Sequence, residues 1–356
     1  MKTIGFLLFA AAFASADPIY LATGLGSLGG PSTGYAINSS GTVAGWSQNG
    51  SGAQQAFVST PAGLHGLGSP ASDSYAYGIN NSGTVVGTTY QNGQVYGTIW
   101  SSSGATTLGP GTYAMAINNS GEVVGGDGQA FAIINGQLEN LGNPAGVVWS
   151  AAYAVNDSGT VVGDGQLSNG SFRGIIWSPN GSMILIGTLG GASSQATAVN
   201  DNGEVVGFAN VPSGYQHAFS MLDGLMIDLG TLGGGSSYAY GVNNSGEVVG
   251  YSYLSDGSQA AFLYDDGTMF NLNSLLPPDS GWDLLDAYAI NDSGQITGVG
   301  LFDGQMTAFL LTDPPSGPAG IAAIPEPREL AILAAALALM ILVRRWPHSR
   351  GIAGHR

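Results

Sequence analysis

Cysteine is absent from all 356 residues, which excludes a disulfide framework and thiol chemistry. Cations are nearly as scarce. Lys2 lies near the start and Arg328, Arg344, Arg345, Arg350 and Arg356 near the end. Between residues 17 and 324 Arg173 stands alone against 21 Asp and Glu. An anionic body of that kind repels phosphate backbones, so nucleic acid is excluded as a partner, and the charge itself reads as solubility. The same stretch holds two histidines, His65 and His217, each in an apolar strand context that suits a structural role. Two distant histidines do not make a zinc site, which takes three or four N or S ligands, and they give a Ser-His-Asp triad little support. No catalytic residue is assigned.

Glycine is abundant, at 59 residues, and it recurs with a pattern. A ten-residue phrase, Ala-Ile/Val-Asn-X-Ser-Gly-X-Val-Val-Gly in its best copies, occurs seven times. Its asparagines are Asn38, Asn80, Asn118, Asn156, Asn200, Asn243 and Asn291, spaced by 42, 38, 38, 44, 43 and 48 residues. A unit of about 40 residues predicts a solenoid or a propeller. Within the phrase, Ile/Val-Asn ends one strand, Asn caps a turn through its side chain, and Gly takes the left-handed position. Those glycines are Gly41, Gly83, Gly121, Gly159, Gly203, Gly246 and Gly294. The β-branched pair that follows starts the return strand. Six of the asparagines also match the Asn-X-Ser glycosylation pattern, but the turn reading explains the following Gly as well. The first position is always Ala or Gly, so something approaches the backbone closely there; the crowded centre of a propeller is a natural place for it.

A third strand often carries Ala-Phe, as at Ala56-Phe57, Ala130-Phe131, Ala218-Phe219, Ala261-Phe262 and Ala308-Phe309, with Ile99-Trp100 and Ile176-Trp177 as the apolar pair in two units. A fourth strand runs into Leu-Gly. Four short strands per unit is the make-up of a propeller blade. The seventh unit lacks its fourth strand and runs into Pro314-Pro315. The segment before the first hairpin, Leu25-Gly26-Ser27-Leu28-Gly29-Gly30, copies Leu229 to Gly234. A closed ring joins these two halves and hides the sheet edges, whereas an open solenoid leaves the split as coincidence. The expectation is an all-β fold: a seven-bladed β-propeller over residues 17–313, its last blade closed by an N-terminal strand near Ile19 to Leu28.

The flanks predict targeting. Residues 1–16 have the form of a signal peptide helix, with Lys2, an apolar run from Ile4 to Phe13, and the small-X-small pair Ala14 and Ala16 before the cleavage point. Residues 314–329 form a Pro- and Gly-containing linker. The apolar run of residues 330–343 is expected to be a hydrophobic transmembrane helix; at about 1.5 Å per residue it falls short of a roughly 30 Å hydrocarbon core, which suits a transient anchor. Arg344 and Arg345 favour a cytoplasmic end for residues 344–356.

Pro325-Glu326-Pro327, the apolar run and the basic end together resemble the PEP-CTERM sorting signal of Gram-negative bacteria. The Ala-Phe triplets, including His217-Ala218-Phe219, and the Leu-Gly-Thr-Leu-Gly-Gly copies resemble HAF-repeat extracellular proteins. The first resemblance implies export, recognition of Pro325, Glu326 and Pro327 by an exosortase, and removal of the tail on the way to the cell surface or an exopolysaccharide matrix. Charge at Arg328-Glu329 and the long end from Trp346 to Arg356 depart from the usual pattern. The second resemblance implies no activity.

For ligands, Trp46, Trp100, Trp149, Trp177 and Trp282 are of a type that stacks on sugar rings or packs between blades. Calcium is the most reasonable metal, since Asp265-Asp266-Gly267 and the tips at Asp157, Asp201 and Asp292 offer hard oxygens, although no Asp-X-Asp-X-Asp-Gly loop occurs. Three readings stay open: an exported non-enzymatic propeller binding matrix, glycan or a surface protein; a secreted polysaccharide hydrolase or lyase; and a purely structural component of a biofilm matrix.

Overall fold

The computed structural model describes residues 20–68 and 72–314. The expected signal peptide with Ala14 and Ala16, the linker from residue 315, Pro325-Glu326-Pro327, the apolar run and Arg344 and Arg345 lie outside the described residues. Among the described residues no helix is long and apolar enough to cross a membrane.

Seven four-stranded antiparallel sheets make the body, and their order closes the chain into a seven-bladed β-propeller. Blades 1 to 6 span residues 29–66, 74–110, 113–140, 147–185, 194–230 and 233–271. Blade 7 takes three strands from residues 282–312 and its outermost strand from Leu21–Gly24, which pairs with Gln305–Thr312 from Leu21 opposite Thr312 to Gly24 opposite Phe309. Leu25 N adds a further bond to the Ala308 carbonyl at 2.9 Å, and Tyr20 N donates to Leu275 O at 3.1 Å. The closing strand is thus the four residues before the Leu25–Gly30 phrase. That phrase carries the chain inward to the first strand of blade 1, and Leu25 and Leu28 pack against Val43, Phe57 and Ala308.

The first strand of each blade is innermost, and these strands touch their counterparts all round the ring. Their small first phrase residue is where they do so: a Cβ on Gly241 would lie 3.1 Å from Ala289 Cα. The core is divided in the same way. Seven apolar clusters of the described residues each bridge two adjacent blades, such as Ala44 and Ala56 with Ala76, Val85 and Trp100. Phe57, Phe131, Phe219, Phe262 and Phe309 are fully buried and sit opposite the last glycine of the phrase. In the two other blades that place belongs to Thr98 and Ile175, which corrects the alignment of Ile99-Trp100 and Ile176-Trp177 with the Ala-Phe pairs. Trp100 and Trp177 lie two residues further along and are buried. In blade 6 the outer strand Thr268–Asn271 passes into a 3-10 turn, Leu272–Leu275, capped by Asn271.

Candidate functional site

Two ends of the ring carry organised polar chemistry. At the first, Asn38 Oδ1 accepts from the amides of Ser40 and Thr42 at 3.1 and 2.9 Å, while Gly41, at φ 79°, donates back to Asn38 O at 3.0 Å. Each asparagine then reaches to the next blade. Asn38 Nδ2 donates to Asn80 O, Asn80 to Asn118, Asn118 to Asn156, Asn156 to Asn200, Asn200 to Asn243, Asn243 to Asn291, and Asn291 back to Asn38, at 2.9–3.3 Å. A second set runs outside it, in which the next residue's amide meets a side-chain oxygen one blade on, as from Asn119 N to Asp157 Oδ1 at 2.8 Å. Asp157, Asp201 and Asp292 all act there as acceptors. These rings surround a cavity of about 250 Å³. The tip carboxylates expected to offer oxygens to calcium are engaged as clasps between blades, and no three His, Asp or Glu converge anywhere among the described residues.

Further along the same innermost strands, the pairing register slips by one residue in every blade. A β-bulge leaves one residue unpaired and re-aims its side chain. The residues so displaced are Tyr35, Tyr77, Met115, Tyr153, Thr197, Tyr240 and Tyr288. Five of the seven are tyrosines. The bulge also explains the last glycine of the phrase, since a Cβ on Gly163 would overlap the Ala151 carbonyl oxygen, and the equivalent overlap recurs in each blade.

Across blades 6, 7, 1 and 2 the displaced rings form an arc. Tyr240 and Tyr288 lie 5.3 Å apart, Tyr288 and Tyr35 5.0 Å, and Tyr35 and Tyr77 5.8 Å. Tyr75 stacks on Tyr77, Tyr251 stacks on Tyr238, and Trp46 Nε1 donates to Tyr35 Oη at 3.3 Å. Burial pushes the Tyr77 and Tyr240 phenols up to about 12, and raises those of Tyr35, Tyr251 and Tyr288, so all remain protonated donors at neutral pH.

Two carboxylates accompany the tyrosines. Asp164, only 3% exposed, accepts from Tyr153 Oη at 3.0 Å and from Gln195 Nε2 at 2.9 Å. Asp286 accepts from Gln259 Nε2 at 2.7 Å. Burial pushes both up to about 6, with the neutral hydrogen-bond donors pulling the other way. Elsewhere, His217 Nδ1 lies 3.0 Å from the Asp228 carboxylate. His65 is exposed on an outer strand. Of the expected stacking tryptophans, Trp100 and Trp177 are interior, Trp282 packs on Phe302, and Trp46 and Trp149 are half-buried beside Tyr75 and Phe172.

Sequence alone does not mark out the tyrosine arc and its carboxylates. The available signal was the residue before each phrase, which is Tyr five times. Next to the arc, Asp164, Phe172, Gln195, Phe208, Asn210 and Gln216 line a groove of about 310 Å³ where blades 4 and 5 meet.

Residues 190–309 match the family described as "Protein of unknown function (DUF3466)". A comparison with curated proteins finds no match. Among solved structures, a gluconolactonase from Xanthomonas campestris is 13% identical with a TM-score of 0.45, over 85% of this chain and 93% of its own. A puromycin-hydrolyzing peptidase from Mycobacterium tuberculosis is 10% identical with a TM-score of 0.49, over 82% of this chain and 53% of its own. The BP39L lectin from Burkholderia pseudomallei is 10% identical with a TM-score of 0.38, over 82% of this chain and 98% of its own. Similarities this distant carry no argument about ligand or activity.

Proposed function

We propose that this chain is an exported, surface- or matrix-associated binding propeller without enzymatic activity, and that it holds a polyhydroxylated ligand of the extracellular matrix at the tyrosine-bearing end of its ring. The supporting observation is the set of seven bulges that turn five tyrosines out of the innermost strands. A bulge at every inner strand costs ladder hydrogen bonds, and tyrosine offers a flat apolar face with a hydroxyl at its rim, the combination that suits sugar rings. Export rests on the resemblance of the leader and of Pro325-Glu326-Pro327 with Arg344 and Arg345 to sorting signals. In this reading an exosortase-type enzyme and the membrane are transient partners before processing, and a polysaccharide or surface protein is the lasting one.

Two experiments test the proposal. On a glycan array the full chain is expected to select one class of polysaccharide, and Tyr288→Ala or Tyr240→Ala is expected to weaken that signal; an array without any bound glycan overturns the binding reading. In the native host, deletion of residues 325–356 is expected to retain the protein in the cell envelope, and unaltered release removes the sorting reading. The raised carboxylates Asp164 and Asp286 support a second reading as a polysaccharide hydrolase, because a carboxyl group near pH 6 is fit for general acid work. Shortened products from the array-selected glycan would replace the first reading with the second.

A further inference from the structure

We propose that the groove between blades 4 and 5 binds a polysaccharide carrying free primary amines, a partly N-deacetylated hexosamine chain, with the ammonium group at Asp164 and the sugar face against Phe208. The inference rests on the binding reading above and names the ligand class.

Charge supplies the first reason. Asp164 is buried at the groove, yet the groups that donate to it, Tyr153 and Gln195, are both neutral. A buried carboxylate is costly unless a cation joins it. The nearest cation in sequence, Arg173, is engaged by the carbonyl oxygens of Phe172 and Ala192, to which it donates. No other Lys or Arg lies between residues 17 and 324. With Arg173 engaged by those carbonyls, no cation among the described residues pairs with Asp164, and the body's anionic field draws a cationic polymer while repelling uronates. An incoming ammonium supplies the missing charge.

Shape supplies the second reason, and it separates a sugar from a lysine side chain. Phe208 packs edge-on to Tyr238 with centroids 4.9 Å apart, so its ring is held in place. Phe172, 37% exposed, meets Trp149 at 6.4 Å. Gln195, Asn210 and Gln216 line the same groove. Tyr238 Oη donates to Gln216 Oε1 at 2.9 Å, which leaves the Gln216 Nε2 group as a donor for a hydroxyl. Flat rings with amides and one carboxylate match a ring bearing hydroxyls and one amine. Along the chain of the ligand, the tyrosines beyond Tyr238 continue the same kind of surface toward Tyr251 and Tyr240.

The test is calorimetric titration of the full chain with a glucosamine hexamer and with its fully N-acetylated counterpart. The amine form is expected to bind about tenfold or more tightly, and its affinity is expected to fall as salt rises. Asp164→Asn, which keeps side-chain volume, is expected to lower amine binding about tenfold while leaving a folded ring by circular dichroism. Glu139→Gln, on the exposed outer strand of blade 3, serves as the control and is expected to leave the affinity unchanged, and Asp286→Asn is titrated beside it. Equal binding of both hexamers overturns the ammonium assignment while the broader binding reading stands. Loss in Asp286→Asn but not in Asp164→Asn overturns the groove as the site. If neither hexamer binds but another glycan on the array does, the ligand class is wrong and the binding reading survives; if nothing on the array binds, both fail.

Discussion

Asn156 and Gly163 stand seven residues apart in one phrase and do different work. Asn156 Oδ1 caps its own turn at Thr160 N, 2.8 Å away, and its Nδ2 clasps the next blade at 2.9 Å. The first role acts over four residues and is readable from residue type. The second needs the neighbouring blade and is not. Asp164, next to Gly163, looks like any acidic residue near a strand end. Its burial is created by Tyr153 on the paired strand and Gln195 on the next blade. This has a pH consequence with a definite sign. Asp164 titrates near 6 when folded, against 3.8 as its ordinary value. Between those pH values the folded chain holds a proton that the unfolded chain has released, so stability falls as pH rises through that window and levels above it. Asp164→Asn removes the penalty of about 3 kcal/mol implied by the shift, less about 1 kcal/mol for a weakened hydrogen bond. Urea unfolding is expected to show a gain of about 1–2 kcal/mol at pH 7.5 and none at pH 4. A gain of equal size at both values would contradict burial as the cause.

Within an element, the controlling feature is the bulge on each innermost strand. It displaces the tyrosine, brings a carbonyl against the phrase-final glycine, and lets Phe131, Phe262 or Phe309 lie over that glycine. The hairpins themselves were legible, because β-branched pairs and Asn-X-Ser-Gly turns act locally. The bulges were not, because register is a property of two strands together. Gly163→Ala is expected to lower stability by about 3 kcal/mol or more, since the added methyl meets the Ala151 backbone rather than a movable side chain. Gly136→Ala at an exposed hairpin tip, with nothing within 4 Å of its Cβ, suffers only from its φ of 76° and is expected to cost about 1 kcal/mol. Denaturant midpoints for the two variants check the contrast, and equal costs would mean that the close approach is not what requires glycine.

For the whole ring, seven apolar clusters at seven blade interfaces mean that no blade covers itself. Closure is made by four residues, Leu21–Gly24, together with Tyr20, which is buried against Leu272 and Leu276. Deleting residues 20–24 uncovers the Gln305–Thr312 edge and the interface beside it. Calorimetry is expected to show a lower Tm and a broadened transition, and size exclusion is expected to show association through the open edge. An unchanged, sharp transition would show that the ring does not depend on its closing strand.

The period, the hairpin turns and the split seventh unit follow from sequence alone, because each is carried by residue types that act on their nearest neighbours or by a count along the chain. Tertiary structure decided which residues the ring turns toward its axis, that Asp164 loses its water and Asp286 part of it, and that seven asparagine side chains form one closed circuit. Those outcomes depend on strands brought together from different blades, and only the folded ring supplies that neighbourhood.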